Sequence, residues 1–168
     1  CYIAFFHGRL GINSDAVGYV AIAHSIISGS GFTNPDSPFI SEREPFFPLF
    51  LAGIFSFSGS RLGIALVVQS LVVIAALLWF IKYTTPFLGR FPAGMAAVVT
   101  AALPGVAATA VGNFLPETLA LIFLLLAFGI FAGITSAPQD CWCYASLGFL
   151  LGAVGLTRFP LLFLPIFL

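Results

Sequence analysis

LGIALVVQSLVVIAALLWFI, residues 62–81, carries no charged side chain, and only Gln69 and Ser70 are strongly polar. At about 1.5 Å of rise per residue, a helix needs roughly 20 apolar residues to cross a hydrocarbon layer ~30 Å thick. This stretch supplies that length, and Lys82 follows it. The expectation is a membrane-crossing helix ended by the lysine.

The rest of the chain has the same character. Of its 168 residues, 60% are hydrophobic and 7% charged, with a mean hydropathy of +1.12, whereas soluble domains carry about 25% charged residues. The composition reads as an integral membrane protein with room for roughly four or five crossings. Six basic residues balance six acidic ones, which gives no basic surface for nucleic acid and no acidic tail. Three cysteines, two of them in Cys141-Trp142-Cys143, form neither a disulfide framework nor a zinc pattern and read as thiols near a membrane face. The chain opens on Cys1 and closes on the apolar run LLFLPIFL. It reads as the N-terminal part of a larger transmembrane domain and is expected to be inactive alone. Residues 1–6 are the end of a first span, 7–60 an extracytoplasmic loop, and 61–168 further spans.

Ionisable residues fall at the borders of the apolar runs, as they should where a charge at the bilayer centre costs about 3 kcal/mol. Residues 45–60, PFFPLFLAGIFSFSGS, are uncharged but short, and two early prolines suit a helix start. They read as an interfacial helix. The segment KYTTPFLGR holds Lys82 and Arg90 without an acid, so the positive-inside rule makes it cytoplasmic. By alternation, residues 91–110 return outward, 118–134 cross inward, and 144–157 climb out towards Arg158. The Gly, Ala and Thr content of 91–110 suits close helix packing. Trp79 and Tyr83 read as interface anchors. The predicted fold class is all-α: a polytopic transmembrane helix bundle whose long first extracytoplasmic loop carries juxtamembrane helices.

That loop gathers the polar chemistry. Asn13-Ser14-Asp15 precedes a proline-free stretch, and Ser or Asp can accept the free N–H groups of a first helical turn. A helix from Asp15 to Ser28, closed by Gly29 and Gly31, is expected, weakly amphipathic and lying at the membrane surface. Asp15 is either a cap or a functional acid. Glu42, Arg43 and Glu44 crowd the start of the next apolar helix. Glu44 either complements that helix dipole or converges with Asp15 as an acid–base or metal-binding pair. Arg158 stands in an otherwise uncharged context and is a candidate phosphate clamp or a snorkelling arginine. Arg43 and Arg9 are weaker candidates for the same task, and Arg61 marks a helix end. Glu117 follows Pro116 at the head of a span, as a dipole partner or a cavity acid. His7 and His24 have no ligand spacing and suit surface or packing roles, although His24 could reach the cavity of Asp15.

In order along the chain, Asp15, Tyr19, Gly29 to Phe32, Glu44-Pro45 to Ala52, FLPETLALIFLLLA (114–127) and GFLLGAVGLTRFP (148–160) resemble the N-terminal part of polyprenyl-phosphate-sugar-dependent glycosyltransferases of the GT-C class. These include the dolichyl-phosphate-mannose protein mannosyltransferases and the aminoarabinose transferases that act on lipid A. The resemblance implies sugar transfer from a polyprenyl-phosphate donor to a lipid or protein acceptor on the extracytoplasmic side. It makes Asp15 the catalytic base and Glu44 a second loop carboxylate that in some members holds a divalent cation. Tyr19, Arg43, Glu117 and Arg158 become substrate-binding candidates, with Tyr19 and the glycines also shaping the loop. The absence of an Asn-x-Ser/Thr acceptor site on the outer loops hints at a bacterial inner membrane. The rivals are a transporter subunit, which would place polar groups at the membrane midplane, and a noncatalytic scaffold. Gln69, Ser70, Thr100 and Pro104 are all that the spans offer the first.

Overall fold

The computed structural model describes residues 14–34, 43–103, 106, 114–136 and 141–157. Those residues build six helices and no strand: α1 (Ser14–Ile27), α2 (Phe46–Ser58), α3 (Leu62–Leu88), α4 (Arg90–Ala102), α5 (Pro116–Ser136) and α6 (Cys141–Thr157). The all-α expectation holds for the described residues. Two stretches, Leu62–Leu88 and Pro116–Thr135, are long and apolar enough to cross a bilayer.

α1 forms where the Ser14 to Ile27 stretch offers no proline, and it ends through glycine. Gly29 takes a left-handed φ of 79°. Its N–H donates to the Ile26 carbonyl at 3.2 Å, and the Ser30 N–H donates to the Ser25 carbonyl at 3.0 Å. That is the Schellman closure, in which a residue without a Cβ lets the last carbonyls find donors. Ala16, Tyr19, Val20 and Ala23 recur at helical spacing and are buried. Phe47, Leu51, Ala52 and Phe55 of α2 form the matching stripe in the same apolar cluster, so α1 and α2 pack as a pair. α2 has 13 residues, roughly 20 Å at the helical rise, which falls short of a crossing. Gly59, with φ 63°, ends it by donating to the Phe55 carbonyl.

α3 departs from expectation at its C-terminal end. Lys82 closes the apolar run but not the helix, which continues to Leu88. Lysine is a good helix former, and the Thr84 and Thr85 hydroxyls fold back onto the Phe80 and Ile81 carbonyls at 2.6 Å each. Pro86 lies in the last turn and supplies no N–H to the Lys82 carbonyl. The expected nine-residue loop between 82 and 90 is therefore one residue, Gly89, whose φ of 88° reverses the chain into α4.

α4 also differs. Residues 91–110 do not form one continuous helix from end to end, because α4 stops at Ala102 and Leu103 turns to φ −59°, ψ 124°. Pro104 follows, and the ring of a proline pushes the preceding residue out of the helical region. α6 begins three residues before the expected 144, so Cys141 and Cys143 open its first turn.

α3 and α5 pack along each other, α6 lies on α5, and α4 lies on α3. Phe80 meets Phe128 with ring centroids 5.7 Å apart. Trp79 and Tyr83, expected as interface anchors, stack on each other at 4.2 Å. They also lie over Gly129, where a Cβ would come within 2.9 Å of the indole Nε1. The missing side chain lets the two long helices close. Away from α5, Ile64, Val67, Leu71, Ile74 and Leu78 form an exposed apolar stripe along α3.

Candidate functional site

The polar constellation lies where α1 meets the entry to α2. Tyr19 is 4% exposed, edge-on to Phe47 with centroids 5.2 Å apart. Its phenol donates to Glu44 Oε2 at 3.0 Å. Arg43 covers the other side, with its Cζ 5.0 Å from the Tyr19 ring centroid, within cation–π range. One aromatic residue thus gathers a guanidinium and a carboxylate, the latter 25 positions away in sequence.

Charge and burial act on Tyr19 together. Burial pushes its phenol above the ordinary 10.0, Arg43 pulls it back, and Glu44 pushes it further up. The phenol stays protonated and remains a donor at neutral pH. An O–H donor to a carboxylate is among the stronger hydrogen bonds, so the pair also fixes how the chain enters α2.

The expected site residues separate clearly. Tyr19, Arg43 and Glu44 come together. Asp15 occupies the first turn of α1, one turn before Tyr19 in helical register; its side chain lies outside the described residues. Arg158 also lies outside them, directly after α6, as do His7 and Arg9. Glu117 stands in the first turn of α5 beside Pro116, with its Oε2 sealed from solvent. The cluster that holds Tyr19 and Phe47 also takes in Phe114 and Leu119, close to Glu117 in sequence.

His24 belongs elsewhere. Its ring stacks on Phe55 at 5.2 Å, and its Nδ1 is 3.4 Å from the Ser60 hydroxyl. Nine positions separate it from Asp15, about 13 Å along the helix, so it serves the far end of the α1–α2 pair. Ser60 has the positive φ there, at 64°, although it is not glycine. Arg61 precedes α3 as its N-cap, as a helix-end marker should. Ser25, Ser28, Ser30 and Thr33 link through hydroxyl contacts such as Ser25 to Thr33 at 2.7 Å, which tie down the glycine-rich exit from α1.

Sequence reasoning did not place Gly18 beside Arg43. A Cβ there would stand 3.5 Å from Arg43 Nε, in ordinary van der Waals contact, so the guanidinium lies beside this position of α1. A glycine inside an otherwise helical run was the available signal, since it costs about 1 kcal/mol relative to alanine and calls for a reason.

A divalent cation needs several hard oxygen ligands. Among the described residues no three His, Cys, Asp or Glu side chains gather, and Glu44 accepts a hydrogen bond from Tyr19. The described donor set alone does not fit a cation, and no metal-dependent step is assigned to Glu44. No family model, no curated protein and no solved structure matches the chain.

Proposed function

We propose that the chain is part of a polytopic membrane glycosyltransferase that moves a sugar from a polyprenyl-phosphate donor to a lipid or protein acceptor on the extracytoplasmic side. The observation that carries this reading is the Tyr19 to Glu44 hydrogen bond, which ties the start of α1, where Asp15 stands, to the mouth of α2. A carboxylate and a guanidinium are thereby grouped around Tyr19, one helical turn after Asp15 in sequence, beside two helices long enough to cross a bilayer. The largely exposed apolar sides of α3 and α6, with Trp142 79% and Phe149 68% accessible, suit lipid contact far better than water.

The chemistry agrees with such a grouping. A phosphate leaves as a stabilised anion, so cleavage of the anomeric bond needs little acid help. The acceptor needs a base and the phosphate a cation. Asp15 is assigned the base. Tyr19 holds Glu44 in place, and Arg43, Glu117 and Arg158 are assigned to the donor. The Lys82 to Arg90 end of α3 faces the cytoplasm by the positive-inside rule, which sets α1 and α2 outside, in the manner of a bacterial inner-membrane enzyme.

The test is Asp15→Asn in the protein in its native membrane, with transfer of labelled sugar from a polyprenyl-phosphate donor as readout and membrane abundance as control. Loss of at least about 100-fold in transfer at normal abundance is expected for a general base. Retained transfer removes the base assignment, and a protein with no transfer before mutation removes the enzyme reading.

A further inference from the structure

The exposed stripe of α3 ends on a cation. Ile64, Leu71 and Leu78 recur every seven residues on its open side, and Lys82, also exposed, follows Leu78 by four positions on the same helix face. Ile64 and Lys82 are 18 positions apart, about 27 Å at the helical rise, close to the ~30 Å of a hydrocarbon layer. A lipid-facing stripe of that length puts the ammonium where headgroups begin. Its surroundings fit that depth: Trp79 and Tyr83 stack on each other, the Lys82 Nζ lies 5.1 Å from the Tyr83 ring centroid, and such rings favour the border between lipid and water. α3 then ends at Leu88, about 9 Å further along the axis, and the turn at Gly89 leads straight into exposed Arg90. Both long basic side chains reach the headgroup layer. Residues 61–103 contain no acid, and among the described residues neither Lys82 nor Arg90 meets a carboxylate. Asp140, on the same side by alternation, lies outside the described residues; one acid against two bases leaves that side positive.

We propose that the turn between α3 and α4 is a binding surface for anionic phospholipid: Lys82 and Arg90 attract the headgroup phosphate, and the exposed stripe that ends at Lys82 takes the acyl chains. The charges set the selectivity. A zwitterionic lipid brings its own ammonium beside the phosphate and offers the two cations no net charge, whereas an anionic lipid is attracted by both. This surface rests on the proposed membrane crossing of α3 and is indifferent to sugar transfer.

Trp79 reports on the surface directly, because it stands three positions before Lys82 and only one other tryptophan, Trp142, occurs in the chain. The Trp142→Phe protein would be reconstituted into mixtures of phosphatidylcholine and phosphatidylglycerol, with bromine placed on the acyl chains of one lipid and then of the other. Bromine quenches an indole only on contact, so the two quenching curves give the relative affinity of the lipids for the surface around Trp79. Phosphatidylglycerol should be favoured by at least about fivefold, the factor for one basic residue at an anionic surface. The preference should shrink in 1 M salt, where charges are screened within about 3 Å. Lys82→Gln combined with Arg90→Gln should bring the ratio to about one, whereas Lys82→Arg should keep the preference. Equal affinities before mutation, or a preference that survives removal of both cations, overturns the proposal. Absence of quenching by brominated phosphatidylcholine overturns it together with the crossing of α3. Failure of Asp15→Asn to abolish transfer would leave this result standing.

Discussion

Removing one oxygen from Tyr19 isolates the bond that joins α1 to α2. In Tyr19→Phe the ring keeps its edge contact with Phe47 and its place beneath Arg43. The loss is confined to the donor that meets Glu44 Oε2 at 3.0 Å. Hydrogen bonds to charged groups contribute about 1.5–3 kcal/mol. Glu44 is only half-buried, so water replaces part of the loss, and a cost of about 1.5 kcal/mol is expected. Glu44→Gln keeps an acceptor but removes its charge. Because charge-assisted bonds are about twice as strong as neutral ones, that change should cost about 0.8 kcal/mol. With the donor gone the second change has nothing left to weaken, so the double variant should resemble Tyr19→Phe alone. The cycle then yields a coupling of about 0.8 kcal/mol, measured by denaturant unfolding of the purified protein in micelles. Strictly additive costs would show that the two side chains are neighbours without interacting, and the reasoning about the site would fail with them.

Alkaline pH offers an independent check. Because folding raises the Tyr19 phenol above 10.0, the unfolded chain surrenders its proton first. The stability Tyr19 contributes is complete below pH 10 and is lost as pH rises through the folded value. The stability gap between wild type and Tyr19→Phe should narrow over that interval in parallel denaturation series, and a constant gap would contradict it. Gly129→Ala should destabilise the α3–α5 contact by about 1–3 kcal/mol through overpacking and shift Trp79 fluorescence; Trp79→Phe in the same chain should restore most of the loss. Spin labels at Leu71 and Leu78, on the exposed stripe of α3, should be relaxed by lipid-soluble oxygen and not by a water-soluble nickel chelate in reconstituted vesicles. The reverse pattern would refute a bilayer-spanning α3.

Much of the architecture was legible in the sequence because its signals are local. Apolar length located α3 and α5, and the paired glycines after Ser28 marked the end of α1. Where two local rules conflict, the sequence is less readable. Lys82 looked like a terminus because a charge interrupts apolarity, yet lysine is a good helix former and the backbone ladder runs on past it. Pro104 bears on the residue before it, a detail that an apolar count over 91–110 does not register. The site was legible only by composition. Tyr19, Arg43 and Glu44 were each visible as candidates, but their meeting depends on how α1 packs on α2. That Gly18 lies beside Arg43 was hidden because the two come from distant parts of the chain.

The length of α4 decides its surroundings. With 13 residues it reaches roughly 20 Å, while the hydrocarbon slab is about 30 Å deep. If α4 enters the bilayer beside α3, its C-terminal carbonyls stop well short of the far headgroups. The Leu103 amide serves Val99 and Thr100; the last carbonyls of any helix need donors from outside it, and at that depth lipid offers none. A helix this short therefore belongs against neighbouring protein at its C-terminal end, which makes α4 a packing element of the assembly rather than a lipid-facing wall.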